Sequence, residues 1–321
     1  MTDCLVLGAT GFIGGQVARA ALSRGWRVAG LRRRPAATGD LGDAAITWLQ
    51  GNLDDPESLA NAMRGRAVVF HCAGAYPHNP RTMARDLGRA VAQMRNVLAA
   101  ARRAGVERLV YTSSYTTIGR PREPGRLADE RDFYVPGSTR DPYYETKWAM
   151  EAEALAAARA GLPVVVLCPV AVFGPGDVHM SVSGPLLMAA RGRLPVYPDA
   201  TLGVIDVRDA AAGHIAAAER GPAGERFILS AHNVTLYDVF AEMARAAGVR
   251  PPRIRLGPRL LAIAAAIGQL APGGQASFLK TVPLWQPVNN AKAVAVLGLT
   301  TRPLSETMAD TLTWFRARGY L

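Results

Sequence analysis

Tyr143 and Lys147 stand four residues apart in Tyr143-Tyr144-Glu145-Thr146-Lys147, a run that opens a helical pattern rich in Ala, Glu and Leu. Residues four apart share a helix face, so the phenol and the ammonium project together. A cation beside a phenol stabilises the phenolate and lowers its pKa towards neutrality, which makes Tyr143 a usable general acid/base. Tyr144 is three residues from Lys147 and is the weaker candidate. Upstream, Tyr111-Thr112-Ser113-Ser114-Tyr115-Thr116-Thr117-Ile118-Gly119 ends a strand-like run with hydroxyls that can hold a substrate oxygen. A lone Tyr-x-x-x-Lys arises often by chance; the start of the chain gives this one its meaning.

That start is Cys4-Leu5-Val6-Leu7-Gly8-Ala9-Thr10-Gly11-Phe12-Ile13-Gly14-Gly15, an apolar run that breaks into glycines and passes into a helical pattern from Gln16 to Ser23. Gly8 permits a tight turn, Gly11 lets backbone approach a pyrophosphate, and Gly14 lets helix and strand pack closely. The helix N-terminus then directs free N–H groups and a positive dipole end at the phosphates. Glycine trios also make ordinary turns, but between a strand and a helix they read as a dinucleotide site. In NAD-binding versions an acid about 20 residues on receives the ribose hydroxyls. Here the second strand, Arg27–Leu31, ends in Arg32-Arg33-Arg34. Guanidinium groups bind a 2′-phosphate that a carboxylate would repel, so NADP(H) is preferred, with NAD(H) still accommodated. The plain alternative is a solvated basic turn.

The elements that must position these groups alternate along the first half. Strand-like runs at Cys4–Leu7, Arg27–Leu31, Ile46–Leu49, Ala67–Cys72, Arg108–Thr112 and Val164–Cys168 are almost continuously apolar, as parallel strands covered on both faces require. Helical patterns lie between them, such as Leu87–Ala104 with Leu87, Val91, Met94, Leu98 and Ala101 on one face. The pattern predicts an α/β fold, a doubly wound parallel sheet of the Rossmann type. After about Gly174 the chain grows irregular and richer in Pro and Gly, so residues 1–173 are expected to form the dinucleotide-binding domain and 174–321 a smaller C-terminal substrate lobe, with parts of the chain crossing between them. In the lobe, Thr235 and Asp238 can box the start of a helix Leu236–Ala247, and Ser305–Arg318 reads as the last helix.

Composition narrows the class. The chain has 321 residues, a formal net charge of +11 and 49% hydrophobic residues, with no low-complexity or repeated segment. The arginines scatter over helix faces without a nucleic-acid motif, so solvated faces and a phosphate-bearing ligand are expected rather than nucleic acid. Met1-Thr2-Asp3 lacks the basic region of a secretory signal, which points to the cytoplasm. Cys4, Cys72 and Cys168 sit in apolar runs and read as buried thiols, and no Cys/His spacing suggests a metal. The run Leu256–Leu270 is apolar on nearly all sides from Leu260 to Ile267 and too short to span a bilayer. It admits a buried helix, a wall for a lipophilic substrate, or peripheral membrane contact.

Taken together, Gly8-x-x-Gly11-x-x-Gly14, Phe70-His71-Cys72-Ala73, Tyr111-Thr112-Ser113-Ser114, Tyr143-x-x-x-Lys147 and Cys168-Pro169 through Phe173-Gly174-Pro175-Gly176-Asp177 resemble the extended short-chain dehydrogenase/reductases, the NAD-dependent epimerase/dehydratase family. The resemblance extends over nearly the whole chain, through Val204-Ile205-Asp206-Val207-Arg208-Asp209 to Trp314–Tyr320. Within the family the chain looks most like the branch of hopanoid-associated sugar epimerases, dihydroflavonol reductases and 3β-hydroxysteroid dehydrogenases. This implies Tyr143 as acid/base, Lys147 as its pKa-lowering partner that also holds the nicotinamide ribose, and Ser114, five residues before Gly119, as the substrate-orienting hydroxyl. It implies that Gly8, Thr10, Gly11, Phe12, Ile13 and Gly14 hold the pyrophosphate and that Arg32 and Arg33 hold the 2′-phosphate. Asn52 and Leu53 would line the adenine, Ala73 and Gly74 would pass close to the cofactor, and Pro169 and Val170 would flank the nicotinamide. Ser113, Tyr115, His78 and His179 are weaker substrate candidates, and His71 a strand residue near the cofactor.

The chain departs from the family pattern at three places: Asn52 replaces an Asp, Ala90 and Gln93 replace an Asn and a Gly, and Asp206 and Arg208 stand where relatives carry His or Val and Asp. The expected activity is NADP(H)-dependent interconversion of a ketone and a secondary alcohol on a lipophilic or ring-containing small molecule. The alternatives are an NAD(P)-dependent epimerase of a sugar or sugar-bearing lipid, and a nicotinamide-binding regulator without chemistry. Relatives also suggest a homodimer.

Overall fold

A strand covered on both faces has no polar side, and the continuous apolar runs form such strands. The computed structural model describes residues 1–42, 44–74, 77, 79–268 and 277–321. In chain order come β1 (Asp3–Leu7), α1 (Phe12–Ser23), β2 (Arg27–Arg32), β3 (Thr47–Gln50), α2 (Pro56–Met63), β4 (Val68–His71) and α3 (Met83–Arg103). There follow β5 (Arg108–Thr112), α4 (Pro142–Arg159), β6 (Val164–Pro169), β7 (Ala171–Phe173), α5 (Gly184–Ala190), β8 (Val196–Pro198) and β9 (Thr201–Asp206). The rest is α6 (Val207–Arg220), β10 (Arg226–Leu229), β11 (His232–Thr235), α7 (Leu236–Ala247), β12 (Ile254–Leu256), α8 (Pro258–Gly268), α9 (Ala291–Leu297) and α10 (Leu304–Ala317).

Seven strands pair in parallel in the order β10-β6-β5-β4-β1-β2-β3, the doubly wound sheet. The chain leaves β1 towards β2 and β3, then returns to β4 on the other side of β1. At that switch the following loops diverge and open a crevice at the carboxyl ends of the strands. α3 and α4 pack together, and α1 packs with α6. β10 comes from beyond residue 173 and extends the sheet past β6, from Arg226 beside Val166 to Leu229 beside Pro169.

A second core, with Phe173, Leu186, Phe240, Met308 and Phe315, lies among β7, β9, α5, α7 and α10. There α7 opens with the capping box: the Thr235 hydroxyl accepts from the Asp238 N–H at 3.1 Å, and the Asp238 carboxylate accepts from the Thr235 N–H at 3.2 Å. α3 starts four residues before its apolar period, where the Thr82 hydroxyl bonds Asp86 at 2.6 Å. The apolar run around Leu260 does not form a helix buried on all sides. Leu261 is buried, but Leu260 and Ile263 are 53% and 56% exposed, and the run's end from Gln269 lies outside the described residues. No described helix is long and apolar enough to cross a membrane.

Candidate active site

The glycine loop is built by exclusion of side chains. Gly8 has φ +88°, and a Cβ there would lie 2.7 Å from the backbone nitrogen of Ala73, so the loops after β1 and β4 touch at the switch point. A Cβ on Gly14 would lie 2.2 Å from the Gly8 carbonyl oxygen, closer than any atom can come. α1 begins at Phe12 with Gly11 as its N-cap, no capping side chain and no acid in its first turn. Its opening amides thus face the crevice without a competing carboxylate, which suits a pyrophosphate.

At the far edge of the crevice, Arg32 stacks over Trp48 with its guanidinium carbon 5.1 Å from the ring centroid, and Arg33 and Arg34 are exposed. The nearby described acids are engaged elsewhere: Asp40 with Arg19 and Arg318, Asp54 with Arg89, and Asp55 as the N-cap of α2. Asn52 accepts from the Asp54 N–H at 3.2 Å, so in place of an Asp it still makes this turn while its amide NH2 group adds a donor. Asn96 of α3, which the sequence reading did not single out, holds the Leu53 carbonyl at 3.0 Å.

Asp141 sets the phase of α4. Its carboxylate accepts from the N–H groups of Tyr143 and Tyr144 at 3.0 and 3.2 Å, with Pro142 opening the helix. Tyr143 is then half-buried in the first turn, whereas Tyr144 turns inward onto Tyr134, ring centroids 5.7 Å apart. Lys147, 3% exposed, lies one turn on, and its ammonium donates to the Thr112 carbonyl at 3.2 Å. Burial pulls its pKa down to about 8, against the nearby Glu151 charge, which pushes it up. A Cβ on Gly74 would stand 3.6 Å from Lys147 Nζ, so the loop after β4 and the ammonium are neighbours.

Below the ammonium lies a polar stack. Thr112 Oγ1 is 2.8 Å from His214 Nε2, and His214 Nδ1 is 2.7 Å from the Ala210 carbonyl. The carbonyl only accepts, so Nδ1 carries the proton and Nε2 accepts from Thr112. His71 is fully buried with its ring centroid 5.4 Å from that of Tyr111. Burial lowers His71 from 6.5 to about 3, with Lys147 adding to the effect, and burial lowers His214 to about 4. Both stay neutral when folded, whereas the unfolded chain protonates them below about pH 6.5. Stability is therefore expected to fall as pH drops from about 6.5 towards 4, by about 1.4 kcal/mol per pH unit for each imidazole. Urea unfolding should show a lower midpoint at pH 5 than at pH 7; equal midpoints would contradict this.

Ser114 is buried and caps the turn Tyr115–Thr117. Its Oγ accepts from the Thr116 N–H at 3.2 Å, which leaves its own proton to donate. Ser113, named as a substrate candidate, instead turns away and donates its hydroxyl to Glu151, because successive residues along an extended segment alternate sides. Tyr115 lies beside Tyr144, and burial pushes its phenol well above the usual range. His179 is exposed at the end of the Gly174-Pro175-Gly176-Asp177 loop, and His78 lies outside the described residues. In that loop Asp177 is fully buried and accepts from the N–H groups of Ser181, Val182 and Ser183.

Pro169 and Val170 are buried where β6 ends, and the Val170 N–H donates to the Leu229 carbonyl at 3.1 Å. Ala90 is buried in α3, and Gln93 donates to Asp54 at 2.8 Å. Asp206 caps α6 and pairs with Arg208, which reaches Asp310 at 2.6 Å, so these two residues tie α6 to α10. The three cysteines are free thiols, each pushed up to about 12 by burial. Among the described residues no group of three His, Cys, Asp or Glu is placed to hold a metal.

With the geometry in place, known proteins can be set beside it. Residues 4–230 match the model of the NAD dependent epimerase/dehydratase family. A Synechocystis protein provisionally named dihydroflavonol 4-reductase is 32% identical, over 100% of this chain and 97% of its own. The crystal structure of gox2253 superposes with a TM-score of 0.86 at 33% identity, covering all of both chains. The structure of PA4631, described as a nucleoside-diphosphate-sugar epimerase from Pseudomonas aeruginosa, gives 0.84 at 28% identity, covering 100% of this chain and 99% of that one. The doubly wound sheet thus agrees with an independent match over most of the chain: the protein belongs to the NAD dependent epimerase/dehydratase family and is an oxidoreductase of the extended short-chain dehydrogenase/reductase type.

Proposed function

We propose that the protein is an NADP(H)-dependent reductase or dehydrogenase that interconverts a ketone and a secondary alcohol on a lipophilic or ring-containing small molecule. The observation that carries the reading is the buried Lys147 ammonium, held on the Thr112 carbonyl one helical turn after a half-buried Tyr143, at the carboxyl ends of the strands beside the glycine loop. A nicotinamide bound along the crevice supplies or accepts the hydride. Tyr143 gives its phenolic proton to the carbonyl oxygen during reduction and takes it back during oxidation. Ser114 donates its remaining hydroxyl proton to the same oxygen and orients it. Lys147, charged below about pH 8, stabilises the phenolate left on Tyr143.

The preference for NADP(H) rests on Arg32 and Arg33 at the end of β2, where no described acid pairs with Arg33 or Arg34. A lipophilic substrate is supported by the exposed Leu260 and Ile263 of α8, with exposed Arg259 beside them offering a site for peripheral contact with an anionic membrane. The reductase name of the Synechocystis relative favours net redox chemistry.

The test is NADPH consumption with product identification across alicyclic and aromatic ketones. Consumption matched by formation of the secondary alcohol supports the reading. A second reading, epimerisation of a sugar-bearing substrate, draws on the likeness to the Pseudomonas aeruginosa structure. Inert ketones together with inversion of a nucleotide sugar and no net cofactor consumption would put that reading first.

A further inference from the structure

Beneath Ser114 lies an ion pair shut off from solvent. Glu151 stands four residues after Lys147 on α4, on the same face. One carboxylate oxygen is 2.7 Å from Arg226 Nε, with the two side chains only 3% and 4% exposed. The other accepts from the Ser113 hydroxyl, faces the Thr117 hydroxyl and lies 3.6 Å from Cys168 Sγ. Thr117 Oγ1 is 2.7 Å from both this oxygen and the Ser114 carbonyl, so its single proton serves one of the two. Arg226 donates through Nη2 to the Thr117 carbonyl and hydroxyl at 3.0 and 3.1 Å, and through Nη1 to the Glu130 carbonyl at 2.9 Å. The Phe133 ring covers the guanidinium at 4.1 Å.

Burying both charges costs several kcal/mol per ion, and well-packed apolar side chains often serve stability as well. What an apolar pair cannot supply is a negative charge facing Lys147 together with acceptors on both sides of Ser114. We infer that Glu151, locked in place by Arg226, is a positioning residue: it fixes the Ser113–Thr117 turn that aims Ser114 and keeps Lys147 an ammonium. This rests on the reading of Ser114, Tyr143 and Lys147 as the reacting groups. The other titratable groups around Lys147 include His71 of β4, which burial keeps neutral, and the thiols of Cys72, after it, and Cys168 of β6, both pushed up to about 12 by burial. Glu151 is a carboxylate whose charge acts on the ammonium and holds its pKa up against burial.

The chain has only three lysines, Lys147, Lys280 and Lys292, so lysine-labelled protein gives a spectrum in which Lys147 can be followed without any substrate. In Glu151→Gln the Lys147 titration midpoint is expected to move down from about 8 by about one pH unit, while Lys280 and Lys292 stay put. Amide exchange at Thr116 and Thr117 should quicken at least about tenfold as the turn loosens. If that variant does not fold, Glu151→Gln/Arg226→Met removes both charges and takes its place. An unmoved Lys147 midpoint, unmoved exchange at Thr116, or a double variant that also fails to fold would overturn the inference. Full turnover in Tyr143→Phe would instead sink the reading of the reacting groups, and the lysine titration would stand apart from it.

Discussion

Replacing Tyr143 by Phe is expected to cut turnover by about 10² to 10⁴-fold while leaving cofactor affinity within about threefold. The half-buried ring is kept, and so is the backbone N–H that Asp141 holds at 3.0 Å, so α4 starts where it did. What disappears is the only phenol one turn before Lys147 on its face. The neighbouring Tyr144 cannot substitute, because it is buried against Tyr134 and desolvation pushes its phenol well above the usual range, out of reach as a proton donor near neutrality. Turnover with the ketone found in the screen, beside calorimetric binding of NADPH, checks this. Wild-type turnover would remove Tyr143 from the chemistry.

Gly14→Ala is expected to lower cofactor affinity by at least about 100-fold and to destabilise the fold by about 1–3 kcal/mol. The added methyl would meet the Gly8 carbonyl at 2.2 Å and its carbon at 2.7 Å. Both are backbone atoms that cannot rotate away, so the loop itself must shift and the crevice with it. Gly15→Ala is the matched control. Its Cβ would lie 3.4 Å from the Ala9 carbonyl, an ordinary contact, and a helix interior favours Ala over Gly by about 1 kcal/mol. Calorimetry and urea unfolding on the two variants should diverge; equal cofactor affinity would mean that the glycine loop is not where the pyrophosphate lies.

How much of this was legible in the sequence followed distance along the chain. The glycine loop, the apolar strands and the Tyr143–Lys147 spacing are local patterns, and the sheet and α4 display them directly. The supports beneath the site are long-range. Leu53 meets Asn96 only once α3 packs back beside the loop after β3, and Thr112 meets His214 and Glu151 meets Arg226 only once α6 and β10 return to the sheet. Two clues were nevertheless present: Glu151 repeats the four-residue spacing after Lys147, and Arg226 puts a charge into an apolar strand, where it must find a partner. Asp40 is a similar case. It accepts from Trp314 Nε1 at 3.2 Å and pairs with Arg19 and Arg318, fastening the loop after β2 to α10 across a separation no local pattern encodes.

The central claim, a redox enzyme built for NADP(H), is tested most directly by calorimetric titration of the cofactor-stripped protein with NADPH and then with NADH. Arg32 and Arg33 predict NADPH binding at least about tenfold tighter, since each charged hydrogen bond to the 2′-phosphate contributes about 1.5–3 kcal/mol. Equal affinities, or NAD carried tightly through purification, would contradict it and bring the epimerase forward.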